Sequence, residues 1–278
     1  MTTSVALVDL KRALLLAVAL ALPAARNTIA QQNTNGAAQQ SIVPMSPMAA
    51  DAHPSFEVAT IKPADPNELK GNFRIGGHRI YIENQSVDSL LSVAYAIHQK
   101  QIVDGPAWLG TRYDIVGQAD VAGVPNLHQI QEMLQKLLAS RFDLTFHREK
   151  RELSIYAITV AKGGPKLAKS ANNSNGLPAQ SGSGSGGQLI RKFTNNSMSD
   201  FALGMQAFLD KPVVDETGLA GRYDFVLKWT PDELNTNDPN APPGIFTAVQ
   251  EQLGLKLEPT RGTTDVLVIS HIERPTEN

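Results

Sequence analysis

Two stretches of this chain, on either side of a Ser/Gly-rich break, are versions of one another. That duplication limits the fold more than any other feature, because a repeated unit must pack both against itself and against its copy. Asn84-Gln85-Ser86-Val87 corresponds to Asn195-Asn196-Ser197-Met198, and Lys100 to Asp104 corresponds to Lys211 to Asp215. Leu109 to Val116 then meets Leu219 to Val226, both carrying Arg-Tyr-Asp. Phe142-Asp143-Leu144 aligns with Leu255-Lys256-Leu257, and the apolar strand Leu153 to Ala161 aligns with Val266 to Ile272.

Each copy has the same predicted element order. A short strand (79–83; 189–194) leads to a helix capped by Ser86 or Ser197, whose hydroxyl can accept from free first-turn amides. Val87, Leu90, Leu91, Ala94 and Ile97 form one apolar stripe, and Met198, Phe201, Ala202, Met205, Phe208 and Leu209 form its counterpart. The Arg-Tyr-Asp strand follows, then a second helix: Leu127, Ile130, Met133, Leu134, Leu137 and Leu138, or Ile245, Val249 and Leu253. A hairpin closes each copy, turned by charged residues before Leu153 and by Thr260 to Thr263. Phe56 to Ile61 adds a strand stopped by Pro63. The expected class is α+β, with two related halves, each strand-helix-strand-helix-strand-strand, its helices on one face of a small mixed or antiparallel sheet.

The expected organisation is a signal peptide over 1–30, a flexible leader over 31–53 and a first half over 54–168. A Ser/Gly-rich linker or loop over 169–187 and a second half over 188–278 complete it. Lys11 and Arg12 flank the ten-residue apolar run Ala13 to Leu22, and Thr28-Ile29-Ala30 is a small-residue cleavage site. A run that short favours a cleaved signal over a retained span. The expected address is therefore secreted or periplasmic, in a bacterial envelope, with no transmembrane segment after signal removal. The chain has no Cys, which excludes disulfides, thiolate metal sites and a thiol nucleophile. An exported chain without disulfides must rely on its core, and about 250 residues can build one. The formal charge of −2 leaves no cation excess for nucleic acid, so none is expected as a partner.

The repeated Arg112-Tyr113-Asp114 and Arg222-Tyr223-Asp224 are the first candidate site. Arg offers a planar fork to a carboxylate or phosphate, so Arg112, Asp114, Arg222 and Asp224 could clamp a ligand. The structural alternative is that Tyr buries its ring while Arg and Asp, on the same strand face, pair at the edge. Trp108, in Gly105-Pro106-Ala107-Trp108-Leu109, either stacks on a ligand or seals a core. His53, His78, His98, His128, His147 and His271 show no ligand spacing, so neither a metal nor a cofactor is expected. Gly182 to Gly187 fits G-x-G-x-x-G only as linker composition, and no hydrolase elbow or P-loop occurs. No catalytic residue is assigned. Asp104, Asp215 and Glu216 are the carboxylates that a hydrolase reading would need.

Several words of the sequence resemble an uncharacterised secreted family of soil-associated bacteria, abundant in Acidobacteria. They are Phe56 to Pro63, Gly105 to Leu109, Arg141 to Glu149, Ala161 to Leu167, Lys211 to Leu219 and Gly221 to Phe225. The resemblance carries no activity or ligand. Related domains fused to sensor-type membrane metallopeptidases imply extracytoplasmic sensing or binding. Phe246 to Glu258, followed by Asp265 to Ile269, is similar to the closing helix–strand–strand of the short N-terminal domain of secretins and TonB-dependent transducers, a module that docks periplasmic partners. The expected function is thus a non-enzymatic binding or interaction module, with an envelope protein or small molecule as partner and the cleft between halves as its site. The alternatives are a carboxylate-based hydrolase and a sensor domain.

Overall fold

A computed structural model describes residues 46–68, 71–171, 178–185, 187–231 and 242–276. The expected signal peptide, the leader up to residue 45, most of the Pro231–Pro243 loop and residues 172–177 of the Ser/Gly break lie outside them. In chain order come β1 (Phe56–Pro63), β2 (Asn72–Gly76), β3 (Arg79–Ser86), α1 (Val87–Tyr95), β4 (Ile102–Val103) and β5 (Arg112–Ala119). Next are α2 (Leu127–Arg141), β6 (Thr145–Val160), β7 (Ala168–Lys169), β8 (Ala179–Ser185) and β9 (Gln188–Asn196). The chain ends with α3 (Met198–Met205), β10 (Val213–Asp215), β11 (Tyr223–Trp229), α4 (Ile245–Leu253) and β12 (Leu255–His271). The architecture is α+β, as the alternation of periods implies.

Three four-stranded sheets organise the molecule. One outer sheet runs β1-β5-β3-β2, the other β7-β11-β9-β8, and between them runs β10-β6-β12-β4. Strand alternation sorts the outer sheets: Ile61, Ile80, Ile82 and Ile115 are buried, whereas Val58 and Val116 are exposed. In the second outer sheet Leu227 and Trp229 are buried and Val226 is exposed. The inner faces join the helices in two hydrophobic clusters. The first takes Leu90 and Leu91 of α1 and Ile130, Leu134 and Leu138 of α2; the second takes Phe201 and Met205 of α3 and Ala248, Val249 and Leu253 of α4.

The hairpins expected to close each half do not form. β6 and β12 are single strands of 16 and 17 residues, and they pair antiparallel with each other from Leu255↔Val160 to His271↔Thr145. The charged run 147–152 and Thr260 to Thr263 lie in mid-strand. Both strands pass from one cluster to the other, so their middles need no apolar residue and carry cross-strand ion pairs instead. Lys150 Nζ lies 3.2 Å from Asp265 Oδ1, and Arg261 pairs with Glu152. The far ends are swapped: Leu267 and Ile269 of β12 belong to the first cluster, Tyr156 and Ile158 of β6 to the second. The aligned order strand–strand in each copy, and the similar closing strands of the secretin-type module, are therefore one strand each.

Two further segments differ from the sequence reading. The Ser/Gly run from Ala179 to Ser185 is strand β8, paired residue by residue with β9. Its glycines supply room rather than slack: a Cβ on Gly182 would stand 2.4 Å from Arg191 Cδ. From Ser46 onward the expected flexible leader is packed. Met48 is buried, Pro47 bridges to Val124, and Gln129 Nε2 donates to the Ala49 carbonyl at 2.7 Å.

Candidate functional site

The repeated Arg-Tyr-Asp words grip the chain's own backbone. Asn84 and Asn195 both have left-handed φ, 52° and 56°, where the register of β3 and β9 against their neighbours shifts. Asn84 N–H donates to Asp114 Oδ1 at 2.7 Å, while Arg112 Nη1 donates to the Asn84 carbonyl at 2.6 Å. In the second copy Asn195 N–H donates to Asp224 Oδ1 at 2.7 Å and Arg222 Nη1 to the Asn195 carbonyl at 2.8 Å. Arg and Asp thus meet on a third residue rather than simply pairing with each other. They satisfy both backbone groups of a bulged Asn whose main chain could not join the ladder. The Tyr between them is buried in both copies, and Tyr223 Oη donates to the Ala220 carbonyl at 3.0 Å.

The helix caps diverge. Ser197 accepts from Asp200 N–H in a capping box. Ser86, expected to cap α1, makes no cap bond; its hydroxyl joins Asp88 and lies 2.8 Å from Ser89 Oγ. Trp108 packs half-buried against the first cluster with the Arg274 guanidinium 5.1 Å above its ring. A protein cation therefore occupies one side of the ring that was read as a stacking platform or a core seal.

Of the carboxylates of the hydrolase reading, Asp104 lies far from Asp215 and Glu216. Asp104 follows β4 and pairs with Arg151 at 3.1 Å. Asp215 ends β10, where Oδ1 accepts from Thr217 N–H at 3.0 Å, and Glu216 N–H donates to the Ile158 carbonyl. β4 and β10 form opposite edges of the central sheet. Three strand spacings separate them by about 14 Å, beyond the roughly 5–10 Å that paired glycosidase carboxylates need.

Two clusters were not singled out from the sequence. At the junction between the hydrophobic clusters, Asp210 Oδ1 accepts from Tyr156 Oη at 3.0 Å, Lys100 Nζ lies 3.8 Å from Asp210 Oδ2, and Lys211 Nζ sits 4.8 Å over the Tyr156 ring. His98 Nε2 approaches the Leu209 carbonyl at 3.2 Å. Partial burial would raise the Asp210 pKa, but the Tyr156 hydrogen bond and the Lys100 and Lys211 charges outweigh it and hold the carboxyl below its ordinary range. The second cluster is Asp143, His271 and Glu273, all exposed. His271 Nε2 lies 3.3 Å from Asp143 Oδ2 and 3.2 Å from Glu273 Oε1. Among the described residues this is the one group of His and acidic side chains close enough to share a cation, and its members already pair with one another. The spacing His271-x-Glu273 was its only local signal; Asp143 arrives from the loop after α2.

Residues 88–272 match the profile of a family described as a protein of unknown function, DUF3738. The chain belongs to the DUF3738 family. The match runs from α1 to the end of the last strand, so the DUF3738 unit includes the ribbon and the second hydrophobic cluster, while β1 to β3, which supply Ile61, Ile80 and Ile82 to the first cluster, precede it. Neither the curated proteins nor the solved structures give a match. Among the described residues of this DUF3738 chain, no helix is long and apolar enough to cross a membrane.

Proposed function

We propose that the chain is an exported envelope protein that works by docking another protein on the uncovered faces of its outer sheets. The observation that carries this reading is the exposure of Val58, Val116 and Val226 on sheets whose other faces are buried. Val116 and Val226 follow the two Arg-Tyr-Asp words at the same spacing, so each outer sheet offers an exposed Val at the equivalent place. On the first sheet Val116 stands beside Thr60 and Tyr81, and the Arg74 guanidinium covers the Tyr81 ring at 4.1 Å. On the second, Val226 stands beside Lys192. Aliphatic, Tyr and Arg groups on an open sheet suit a protein surface. Export is supported by the charged flank, apolar run and small-residue site within residues 1–30.

The test places a photoreactive amino acid at Val116, at Val226 and at buried Ile82 in the producing cell. The expected result is a discrete protein adduct from a Val position and none from Ile82. Silence at both Val positions, with the protein folded and present, would sink the docking reading. The N-terminus of the native protein, read by mass spectrometry, is expected at Gln31; an uncleaved chain in the cytoplasm would remove export.

A further inference from the structure

Each hydrophobic cluster is completed by a strand from the other side of the molecule. β4 pairs parallel with β12 (Ile102↔Leu267, Val268↔Val103), and β10 pairs parallel with β6 (Val213↔Tyr156, Val214↔Ala157). The second relation is the first with both strands exchanged and each position moved by 111 residues, from 102 to 213 and from 156 to 267. The same offset makes one pair of the antiparallel ribbon, Glu152↔Thr263, its own equivalent. A local twofold axis therefore passes through the ribbon at that pair. The end of β12 enters between β4 and β6, and the end of β6 enters between β10 and β12. Val266 and Leu267 of the inserted end are fully buried, as is Ile158 of its counterpart.

The charges on the ribbon distinguish the observed pairing from one between two first halves. In the observed register Lys150 faces Asp265, and Arg261 pairs with Glu152. Two β6 strands meeting about the same axis would set Glu152 opposite a second Glu152 and Lys150 opposite Ser154, so the Lys150–Asp265 pair would be lost, while Lys150 would stand where Arg261 does now. Like charges directly opposite one another on a sheet are destabilising.

We propose that the β6–β12 ribbon is a docking interface between two half-chains. The partner that fits each half is the complementary half, offering an apolar strand to a slot between two others, with Glu152 and the Lys150–Asp265 pair selecting it over a second copy of the first half. This inference does not rest on export or on the outer sheet faces.

The test uses the full chain with a protease site inserted among residues 172–177. After cleavage, the two fragments are expected to elute together at the size of the intact chain. Mixing heavy and light nicked protein through partial denaturation should give hybrid pairs of one first and one second half, seen by native mass spectrometry, with first–first pairs scarce. Glu152→Lys should weaken the fragment affinity about threefold to fivefold, and adding Arg261→Glu should restore it. Fragments that separate as folded monomers would overturn the proposal. So would first–first pairs as abundant as hybrids, or an unchanged affinity in Glu152→Lys. In the uncut chain, Trp108 reports on the first cluster and Trp229 on the second. Single-Trp variants (Trp108→Phe and Trp229→Phe) should unfold in one coincident transition, since each cluster needs the other's strand. Two separate midpoints would also overturn it.

Discussion

The two hydrophobic clusters share a frame and differ in what fills it. Around α1 and α2 the fully buried side chains are mainly aliphatic, with Ile61, Ile80, Ile82, Ile115 and Ile130 prominent. Around α3 and α4 aromatic rings take a larger share of the filling. Phe193 stacks on Phe225 at 4.8 Å and meets Phe201 edge-on at 5.2 Å, and Phe208 meets Trp229 edge-on at 5.0 Å. The polar fittings differ in the same direction. Arg112 holds the Asn84 carbonyl, whereas Arg222 holds the Asn195 carbonyl and also lies 3.2 Å from Asp200 Oδ2, the carboxylate of the α3 capping box. Strand order and backbone bulges are thus held by a few repeated polar contacts. The cores have been free to change volume and chemistry, because packing needs only a filled space.

The largest test of this contrast is truncation of a core ring. Phe193→Ala should cost about 3–5 kcal/mol, since it removes a fully buried ring with two aromatic neighbours, while Ile82→Ala should cost about 2–4 kcal/mol. Urea denaturation measures both, and a greater loss at Ile82 would break the comparison. Next come the clamps. Arg222→Ala should lower stability by about 1–2 kcal/mol and Arg112→Ala by less, because only the former also removes an ion pair with the Asp200 carboxylate. Equal losses would mean that the Asp200 contact contributes nothing.

The caps give a smaller difference. Ser197→Ala should cost about 1 kcal/mol and Ser197→Asn should recover most of it, as Asn also caps. At position 86, where no cap bond exists, Asn should rescue no better than Ala, as read from thermal midpoints. The smallest effect concerns Asp210, whose counterpart 111 positions earlier is the neutral Gln99. Its folded pKa is depressed, so its contribution is present above the unfolded value and is lost as pH falls through the folded one, below about pH 4. Asp210→Asn should therefore flatten the acid limb of the stability profile. An unchanged limb would place the acid sensitivity in other carboxylates.

Local patterning exposed most of the elements. Apolar spacing marked α1 through Leu90 and Leu91 and α2 through Ile130 and Leu134, and both helices lie where that spacing put them. The repeated Arg-Tyr-Asp was visible as a motif, yet its grip on Asn84 and Asn195 was not, since a bulge depends on the partner strand. The closing strands misled for a similar reason. A run such as His147 to Glu152 reads as a turn when each half is imagined alone, because a strand there would have nothing apolar to bury. The alignment of Leu153 with Val266 was likewise two residues out of the pairing register, which sets Tyr156 against Leu267 as equivalents. Gly182 and Gly184 looked like linker because glycine destabilises an isolated strand. In place, β9 supplies the ladder and Arg191 fills the space that a side chain would occupy.

By itself the sequence determined the α+β class, the duplicated words, the positions of the four helices and the alternation of the outer strands. All of these are properties of nearest neighbours along the chain, set by the periods 3.6 and 2. Only the tertiary structure decided that β6 and β12 run unbroken from one core to the other, that the Ser/Gly stretch is an edge strand and that Arg and Asp hold a bulge. The first and last depend on residues more than 20 positions away, and β8 depends on β9 pairing back onto it; no local period records which strand will supply the missing hydrogen bonds and burial.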